Sequence, residues 1–256
     1  MTAQIQKGDF EPAAFEWRFG GGSQGGEPVS VTLPDGRIAK LQGKVDRVDL
    51  WQDEQERYVR VIDYKSGATE YKPEEMYAGL QLQLPVYMEA TAQAYGAKPA
   101  GFFYFHLTPQ LQESEGATVD FERLMLKAGR LDGLFLDDLA VAGHMDHEID
   151  VDPLVLKARV TKDGRFAKNN LTATPEQFEA LQEFTHKKIR QLSGDIGEGH
   201  IEQSPVQMGQ TKACDYCEFK RACPFDEGLP GQECRRVEKM NAEQFWEKIE
   251  EFDNSF

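Results

Sequence analysis

An α/β fold is predicted for this chain: a mixed β-sheet flanked by helices, with a cysteine-rich segment appended near the C-terminus. Three observations predict it. Val29 to Ser66 carries β-type patterning in runs divided by turn residues, and Pro73 to Tyr95 carries helical spacing and leads into the apolar aromatic run Ala100 to Leu107. All four cysteines lie between Cys214 and Cys234.

Taken in order, the elements begin irregularly. Phe15-Glu16-Trp17-Arg18-Phe19 is a short aromatic fragment, and Gly20, Gly21, Gly22, Gly25 and Gly26 around Ser23 and Gln24 read as a flexible loop. Val29 to Leu33, a Pro34-Asp35-Gly36 turn, Ile38 to Leu50, a polar turn at Gln52 to Glu56, and Tyr58 to Lys65 predict a three-strand meander. Met76, Leu80, Gln83, Leu84 and Tyr87 share helical spacing; Pro73 suits a first turn, Gly96 a stop, and Pro85 predicts a kink. Ala100 to Leu107, bounded by Pro99 and Pro109, suits a buried strand. Phe121 to Ala142 is predicted helical, and Val155 to Val160 and Arg165 to Lys168 flank the Lys162-Asp163-Gly164 turn of a hairpin. Pro175 to Leu192 is an amphipathic helix capped by Thr174.

The 256 residues hold 29 Lys+Arg against 44 Asp+Glu, a net charge of −15, with 40% hydrophobic and 11% aromatic residues. Such a chain can bury a core in one large domain or two small ones, and it is not a disordered acidic tail. Its acidity argues against a free-standing DNA coat protein, whose footprint is basic. No early apolar run has the length of a secretory h-region, and no stretch approaches the roughly 20 apolar residues of a membrane helix, which places the chain in the cytoplasm.

The sharpest chemical signal is Gly43-Lys44-Val45-Asp46-Arg47-Val48-Asp49, followed by Ile62-Asp63-Tyr64-Lys65-Ser66-Gly67 at the end of the next strand. Alternation puts Asp63 and Lys65 on one face, and pairing across the Gln52 to Glu56 turn brings Asp46 to them at a sheet edge. Two carboxylates make a hard oxygen site for Mg²⁺ or Mn²⁺, and an adjacent ammonium suits phosphodiester hydrolysis. Either segment alone fits a surface hairpin with solvated charges; the two together favour a site. The second signal is Cys214-Asp215-Tyr216-Cys217 with Cys223-Pro224, whose three thiols can ligate one centre, favoured as thiolates by Lys212, Lys220 and Arg221. A four-cysteine zinc site completed by Cys234 and an iron–sulfur cluster both satisfy that count.

In these motifs the chain resembles the PD-(D/E)xK nucleases, and within them the RecB-like branch with its signatures G-x-(I/V)-D-R-(I/V)-D, D-Y-K-S-G and Q-x-x-x-Y. They read here as Gly43 to Asp49, Asp63 to Gly67 and Gln83 to Tyr87. Thr211 to Gly231 is similar to the end of AddB-type subunits of bacterial helicase–nucleases, and the likeness runs from Phe10 to about Val237. The resemblance implies a restriction-endonuclease-like fold and a metal-dependent DNA exonuclease domain that processes double-strand breaks for recombinational repair. It implies Asp46, Asp63 and the Tyr64 carbonyl as ligands of Mg²⁺ or Mn²⁺, Lys65 as the catalytic lysine and Glu16 as an extra acidic residue. Gln83 and Tyr87 would hold the DNA, and Cys214, Cys217 and Cys223 a [4Fe–4S] cluster. Implied partners are single-stranded DNA and an AddA-type subunit, with no membrane.

On this resemblance the chain divides into an N-terminal remnant (1–28), a nuclease core (29–205), an iron–sulfur segment (206–237) and a helical tail (238–256). No cysteine precedes Cys214, and the family's first cluster ligand and its metal-binding histidine would lie before Met1. The chain therefore reads as truncated at its front, its cluster absent, labile or replaced by zinc unless Cys234 substitutes. No Walker A pattern occurs, so the chain is not itself a helicase. A stand-alone exonuclease of the CRISPR-adaptation type would carry its own early cysteine. The remaining alternative is a catalytically weak or inactive module that binds DNA or a partner through a cysteine-bound cluster or zinc. Lys162, Arg165, Lys168, Lys187, Lys188, Arg190, Arg235 and Arg236 are candidates for a local basic path.

Overall fold

The computed structural model describes residues 5–21, 25–67, 69–107 and 120–253. In chain order these form β1 (Glu11–Phe19), β2 (Val29–Thr32), β3 (Ile38–Leu41), β4 (Gly43–Gln52), β5 (Arg57–Lys65), α1 (Pro73–Tyr77), α2 (Gln83–Tyr95), β6 (Lys98–His106), α3 (Phe121–Ala128), β7 (Asp132–Leu136), α4 (Leu139–Met145), β8 (Thr172–Ala173), α5 (Pro175–Glu198), β9 (Val206–Met208), β10 (Thr211–Lys212), β11 (Arg235–Val237) and α6 (Ala242–Asp253). The central sheet has the order β1-β4-β5-β6-β7-β8. It is mixed: β5 runs parallel to β6 and β7 to β8, while β1/β4, β4/β5 and β6/β7 are antiparallel.

The parallel pair explains where the core sits. Joining β5 to β6 requires a crossover, and α2 supplies it across one face of the sheet, so both faces of β5 are covered. Tyr58 through Asp63 are consequently all buried, and β6 is buried from Ala100 to Tyr104. Leu84 and Met88 of α2 pack with Phe178, Leu181 and Phe184 of α5 in the same core. Phe245 and Ile249 of α6 are fully buried, and the Trp246 indole donates to the Thr172 carbonyl (3.0 Å). Burying each such side chain contributes about 1.5–3 kcal/mol. Among the described residues no helix is long and apolar enough to cross a membrane.

Several expected elements differ. Glu11–Phe19 is not an irregular opening but the edge strand of the main sheet, paired with β4; the glycine loop after it is pinned by Gly26 N–H to Arg18 (3.0 Å) and Gly20 N–H to Gly26 (2.9 Å), with Gly22, Ser23 and Gln24 outside the described residues. The predicted meander is split at Gln42: β2 and β3 form their own two-stranded sheet, and only β4 and β5 join the main one. The predicted long helix is two helices, separated around Gly79 with φ of +82°. Pro85 produces no kink because it is the third residue of α2, where its missing N–H has no intrahelical acceptor.

The predicted helix from Phe121 to Ala142 is a helix, a strand and a helix. Leu131 to Leu136, four apolar residues interrupted by Asp132 and Gly133, is too short to fix helical or extended periodicity, and pairing with β6 decides it. Gly133 makes that pairing possible, since a Cβ there would collide with the Phe102 carbonyl. The hairpin around Lys162 keeps its turn, with Thr161 N–H to Arg165 (2.7 Å), but its flanks meet in an isolated Val160–Phe166 bridge rather than a named pair of strands. The strand expected to end at Leu107 ends at His106, and Pro109 lies outside the described residues. Thr174 caps α5 in a reciprocal box with Gln177 (3.2 and 3.0 Å), a device that contributes about 1 kcal/mol.

Candidate active site

Antiparallel register sets Arg47 opposite Ile62 and Asp49 opposite Arg60, so Asp46 and Asp63 face each other one step beyond the last pair. Because side chains alternate along a strand, Arg47, Asp49 and Arg60 share one face, and Asp46, Asp63 and Lys65 share the other. The second group meets at the ends of β4 and β5. These are inner strands, so the cluster lies mid-sheet rather than at the expected sheet edge.

The Asp46 carboxylate accepts the Tyr64 N–H (2.9 Å), which fixes it against β5. Asp63 Oδ2 is 2.6 Å from Lys65 Nζ, and Asp63 is only 4% exposed. That oxygen has its ion pair but no aligned hydrogen-bond donor. Burial pushes the Asp63 carboxyl above the usual carboxylate range; Lys65 opposes the shift and Asp46 adds to it. A buried carboxylate with an unfilled oxygen, beside a second carboxylate, matches the donor chemistry of a hard divalent cation. Among the described residues no group of three or more His, Cys, Asp or Glu side chains is placed to hold a metal, so an ion here would draw its other ligands from backbone, water or phosphate.

β6 adds a residue that motif reasoning missed. Tyr104 pairs in register with Asp63 on one side and Asp132 on the other. Lys65 Nζ lies 5.0 Å from the centre of its ring. Burial, then the charges of Asp63 and Glu75, push the Tyr104 phenol up to about 12, so it remains neutral. The only trace of this in the sequence is a tyrosine inside the apolar run Phe102 to Phe105.

Glu16 lies opposite Asp46, between the pairs Phe15–Arg47 and Trp17–Val45, with a φ of +49° that non-glycine residues rarely adopt. Its carboxylate is 71% exposed and bound to Lys44 Nζ (2.9 Å), which holds it below the usual glutamate range. Gln83 is exposed at the start of α2, and its Nε2 donates to the Tyr87 hydroxyl (2.9 Å). The Tyr87 ring meets Phe19 edge-on at 5.8 Å, and together they close over Gly43, where a Cβ would lie 2.6 Å from Phe19 and 2.7 Å from Tyr87. The first glycine of the motif is therefore a packing requirement.

The remaining motif charges do a different job. Asp49 accepts from Arg47 Nε (2.6 Å) and Nη2 (2.7 Å) and from Arg60 Nε (2.9 Å), and all three side chains are fully buried. The Arg60 guanidinium also lies over the Phe10 ring at 5.0 Å. Arg60 is legible in the sequence only as a charge within an apolar strand.

The cysteines lend no support to the cluster that the resemblance implies. Cys214, Cys217 and Cys223 line one cavity of about 280 Å³, and all four thiols are free. Among the described residues they do not converge as a metal-binding group, so this arrangement does not fit a cluster. Local charges hold the segment instead: Lys212 pairs with Glu227 and Lys220 with Asp215 (3.7 Å). Burial and a hydrogen bond to Glu227 push the Cys234 thiol up, away from the thiolate a metal requires.

Comparison with known proteins adds an independent finding. A family model described as the PD-(D/E)XK nuclease superfamily matches residues 2–224. The chain is 32% identical, over 257 residues, to the AddB-type polypeptide of the ATP-dependent helicase/deoxyribonuclease of Thermoanaerobacter sp. (strain X514). It is 33% identical over 263 residues to the like-named protein from Bacillus cereus (strain B4264), and 34% over 258 residues to that from Caldanaerobacter subterraneus subsp. tengcongensis. Each alignment covers 98% of this chain and 22% of the relative, so the chain spans about a fifth of the length of the curated relatives it matches.

Proposed function

The chain belongs to the PD-(D/E)XK nuclease superfamily, and on that footing we propose that it is a metal-dependent DNA exonuclease domain. Its setting would be a helicase–nuclease that processes double-strand breaks for recombinational repair, with an AddA-type subunit as partner and single-stranded DNA as substrate. The relatives' name, which joins helicase and deoxyribonuclease, supports this setting. The observation that carries the proposal is the meeting of Asp46, Asp63 and Lys65 around a buried carboxylate oxygen without an aligned donor.

Asp46, Asp63 and the Tyr64 carbonyl would hold Mg²⁺ or Mn²⁺. Such an ion, when bound, polarises a phosphoryl group and lowers the pKa of a water. The chain's own groups contribute the rest. Lys65 holds positive charge where negative charge develops on the phosphate, steadied between the Asp63 carboxylate and the Tyr104 ring. The Tyr64 N–H keeps Asp46 oriented. Gln83, held by Tyr87, presents its amide to the strand. Asp63→Asn is expected to lower Mg²⁺-dependent cleavage of a labelled single strand by about 100-fold or more. Equal rates in both proteins would overturn the assignment.

A second function is a DNA- or partner-binding module with weak or absent catalysis, whose centre would lie in the cavity that the three cysteines line without converging. Cys214, Cys217 and Cys223 would carry a [4Fe–4S] cluster, or zinc, only after closing on one centre. Anaerobic purification with iron and zinc analysis tests that closure. A wild-type protein that binds DNA but cuts none of it would favour this function over the first.

A further inference from the structure

A groove between α1, α5, α6 and β11 gathers positive charge in a chain that is otherwise strongly acidic. Its cavity of about 570 Å³ is lined by Lys188, Arg235, Arg236, Lys239 and Lys248. Among the described residues none of these five is in an ion pair, although the chain has 44 Asp+Glu for 29 Lys+Arg. Lys188 is half-buried. Its ammonium lies 5.6 Å from the ring centres of Tyr77 and Phe184 and 5.0 Å from that of Phe252. Lys248 lies 5.3 Å from the Tyr77 ring, and Arg235 reaches across to the Ala78 carbonyl (3.5 Å). Burial, with Arg235 beside it, holds the Lys188 ammonium below the usual lysine range. Cations without an ion-pair partner, one of them half-buried, are stabilised by an incoming anion.

The geometry narrows the anion. Both lysines lean on Tyr77, so its ring is engaged by cations rather than open for stacking bases, and the groups left to make contact are ammonium and guanidinium. That chemistry reads phosphates without regard to sequence. Position narrows it further. α1 lines the groove with Glu74, Tyr77 and Ala78, while Glu75 of the same helix is near enough to Tyr104, beside Asp63, to raise its phenol. α1 therefore contributes both to the groove and to the surroundings of the candidate active site.

We infer that this groove binds the phosphodiester backbone of the single strand whose scissile phosphate is presented to Asp46 and Asp63. The identity of the strand rests on the nuclease function proposed above; the anion-binding groove does not. Glu74, Glu238, Glu247 and Glu251 also line the cavity, leaving a net charge of 5 − 4 = +1. The groove is accordingly a weak track along which a strand slides, not a clamp.

The test uses the whole chain and a fluorescent oligothymidylate of about 20 nucleotides, titrated by anisotropy in EDTA across a series of KCl concentrations. For single strands, log K falls with log[salt] by about 0.7 for each phosphate contact. Arg235→Ala, Lys239→Ala and Lys248→Ala together, all at exposed positions, are expected to flatten that slope by about 2. Adding Lys188→Met, which keeps an apolar stem on the aromatic rings, should flatten it by about 0.7 more. Removing the ion-paired cations Lys98 and Lys127 instead should leave the slope unchanged. An unchanged slope in the triple variant, or no binding by wild type, would overturn the groove. Polyglutamate competing as well as the oligonucleotide, charge for charge, would overturn the strand in favour of an acidic polypeptide. Cleavage of bis(p-nitrophenyl) phosphate with Mg²⁺ is read in parallel and should not change in the triple variant. A flattened slope with no Mg²⁺-dependent cleavage by wild type would leave the groove standing and end the nuclease proposal.

Discussion

The two faces of the β4–β5 pair use similar residue types to opposite effect. On one face Asp49 lies between two guanidinium groups and accepts three hydrogen bonds, entirely out of water. On the other, Asp63 pairs with the one ammonium, Asp46 accepts only the Tyr64 N–H among the described residues, and a buried Asp63 oxygen has no aligned donor. The first face sets two guanidinium groups against one carboxylate, leaves Arg60 Nη1 and Nη2 without a hydrogen-bond partner among the described residues, and ties two strands together. The second keeps an excess of negative charge where a cation can enter. The sign of the excess charge, more than the presence of charge, separates the two clusters.

The largest expected effect breaks the Asp49 face. Asp49→Ala leaves two buried guanidinium groups unpaired and should cost about 3–5 kcal/mol by urea denaturation, enough to leave the protein marginal. A loss below about 1 kcal/mol would show that Arg47 and Arg60 find other partners and that the triad does not hold the strands.

On the face of Asp46 and Asp63, Tyr104→Leu removes the ring beneath Lys65, whereas Tyr104→Phe keeps it. The leucine variant should lower kcat about 10-fold with KM little changed and shift the alkaline limb of the pH–rate profile; the phenylalanine variant should stay within about twofold. Equal losses in the two variants would assign the phenol hydroxyl, and not the ring, to the site.

Asp63→Asn sharpens the contrast by measuring stability at the same position that controls cleavage. Folding raises the Asp63 pKa, so the metal-free native state binds this proton more tightly than the unfolded chain does. Stability from this group is therefore complete below the unfolded pKa and is lost as pH rises through the folded one. At neutral pH the variant should melt slightly above wild type without metal. Melting below wild type would show that the ion pair with Lys65 outweighs burial.

The smallest effect lies away from both faces. His186 on α5 contacts Glu89 on α2 (2.8 Å), which raises the imidazole pKa above its ordinary value against an opposing burial cost. Its contribution is present below the unfolded pKa and lost as pH rises through the folded one. His186→Gln should remove a few tenths to about 1 kcal/mol near pH 5 and almost nothing near pH 9, read from denaturation at the two pH values.

The limits of sequence reasoning follow the range of the interactions involved. Thr174 with Gln177, and Gly96 as a helix stop, are local devices, and the structure contains both. Pro85 invites a kink that does not form because its effect depends on its distance from the helix start, which Gly79 and the break before Gln83 set. Leu131 to Leu136 suggests a helix yet forms a strand because so short a segment fixes no period of its own; β6 imposes one.

Within the site, alternation along one strand is enough to put Asp63 and Lys65 on the same face, since a period of two is a property of any extended backbone. The sequence determined that much, together with the acidic balance, the turns and the residue types available for chemistry. Register with a second strand brought Asp46 to them, and a parallel crossover brought Tyr104, which lies beyond a whole helix in the chain and beside Asp63 in the sheet. The same dependence on space governs the cysteines, whose spacing permits a shared centre while the described residues do not gather three of them into a metal-binding group. Burial that leaves Asp63 short of a donor, and burial that completes Asp49, depend on which neighbours reach each face, and only the tertiary structure decided that, because desolvation and pairing are sums over groups distant in sequence.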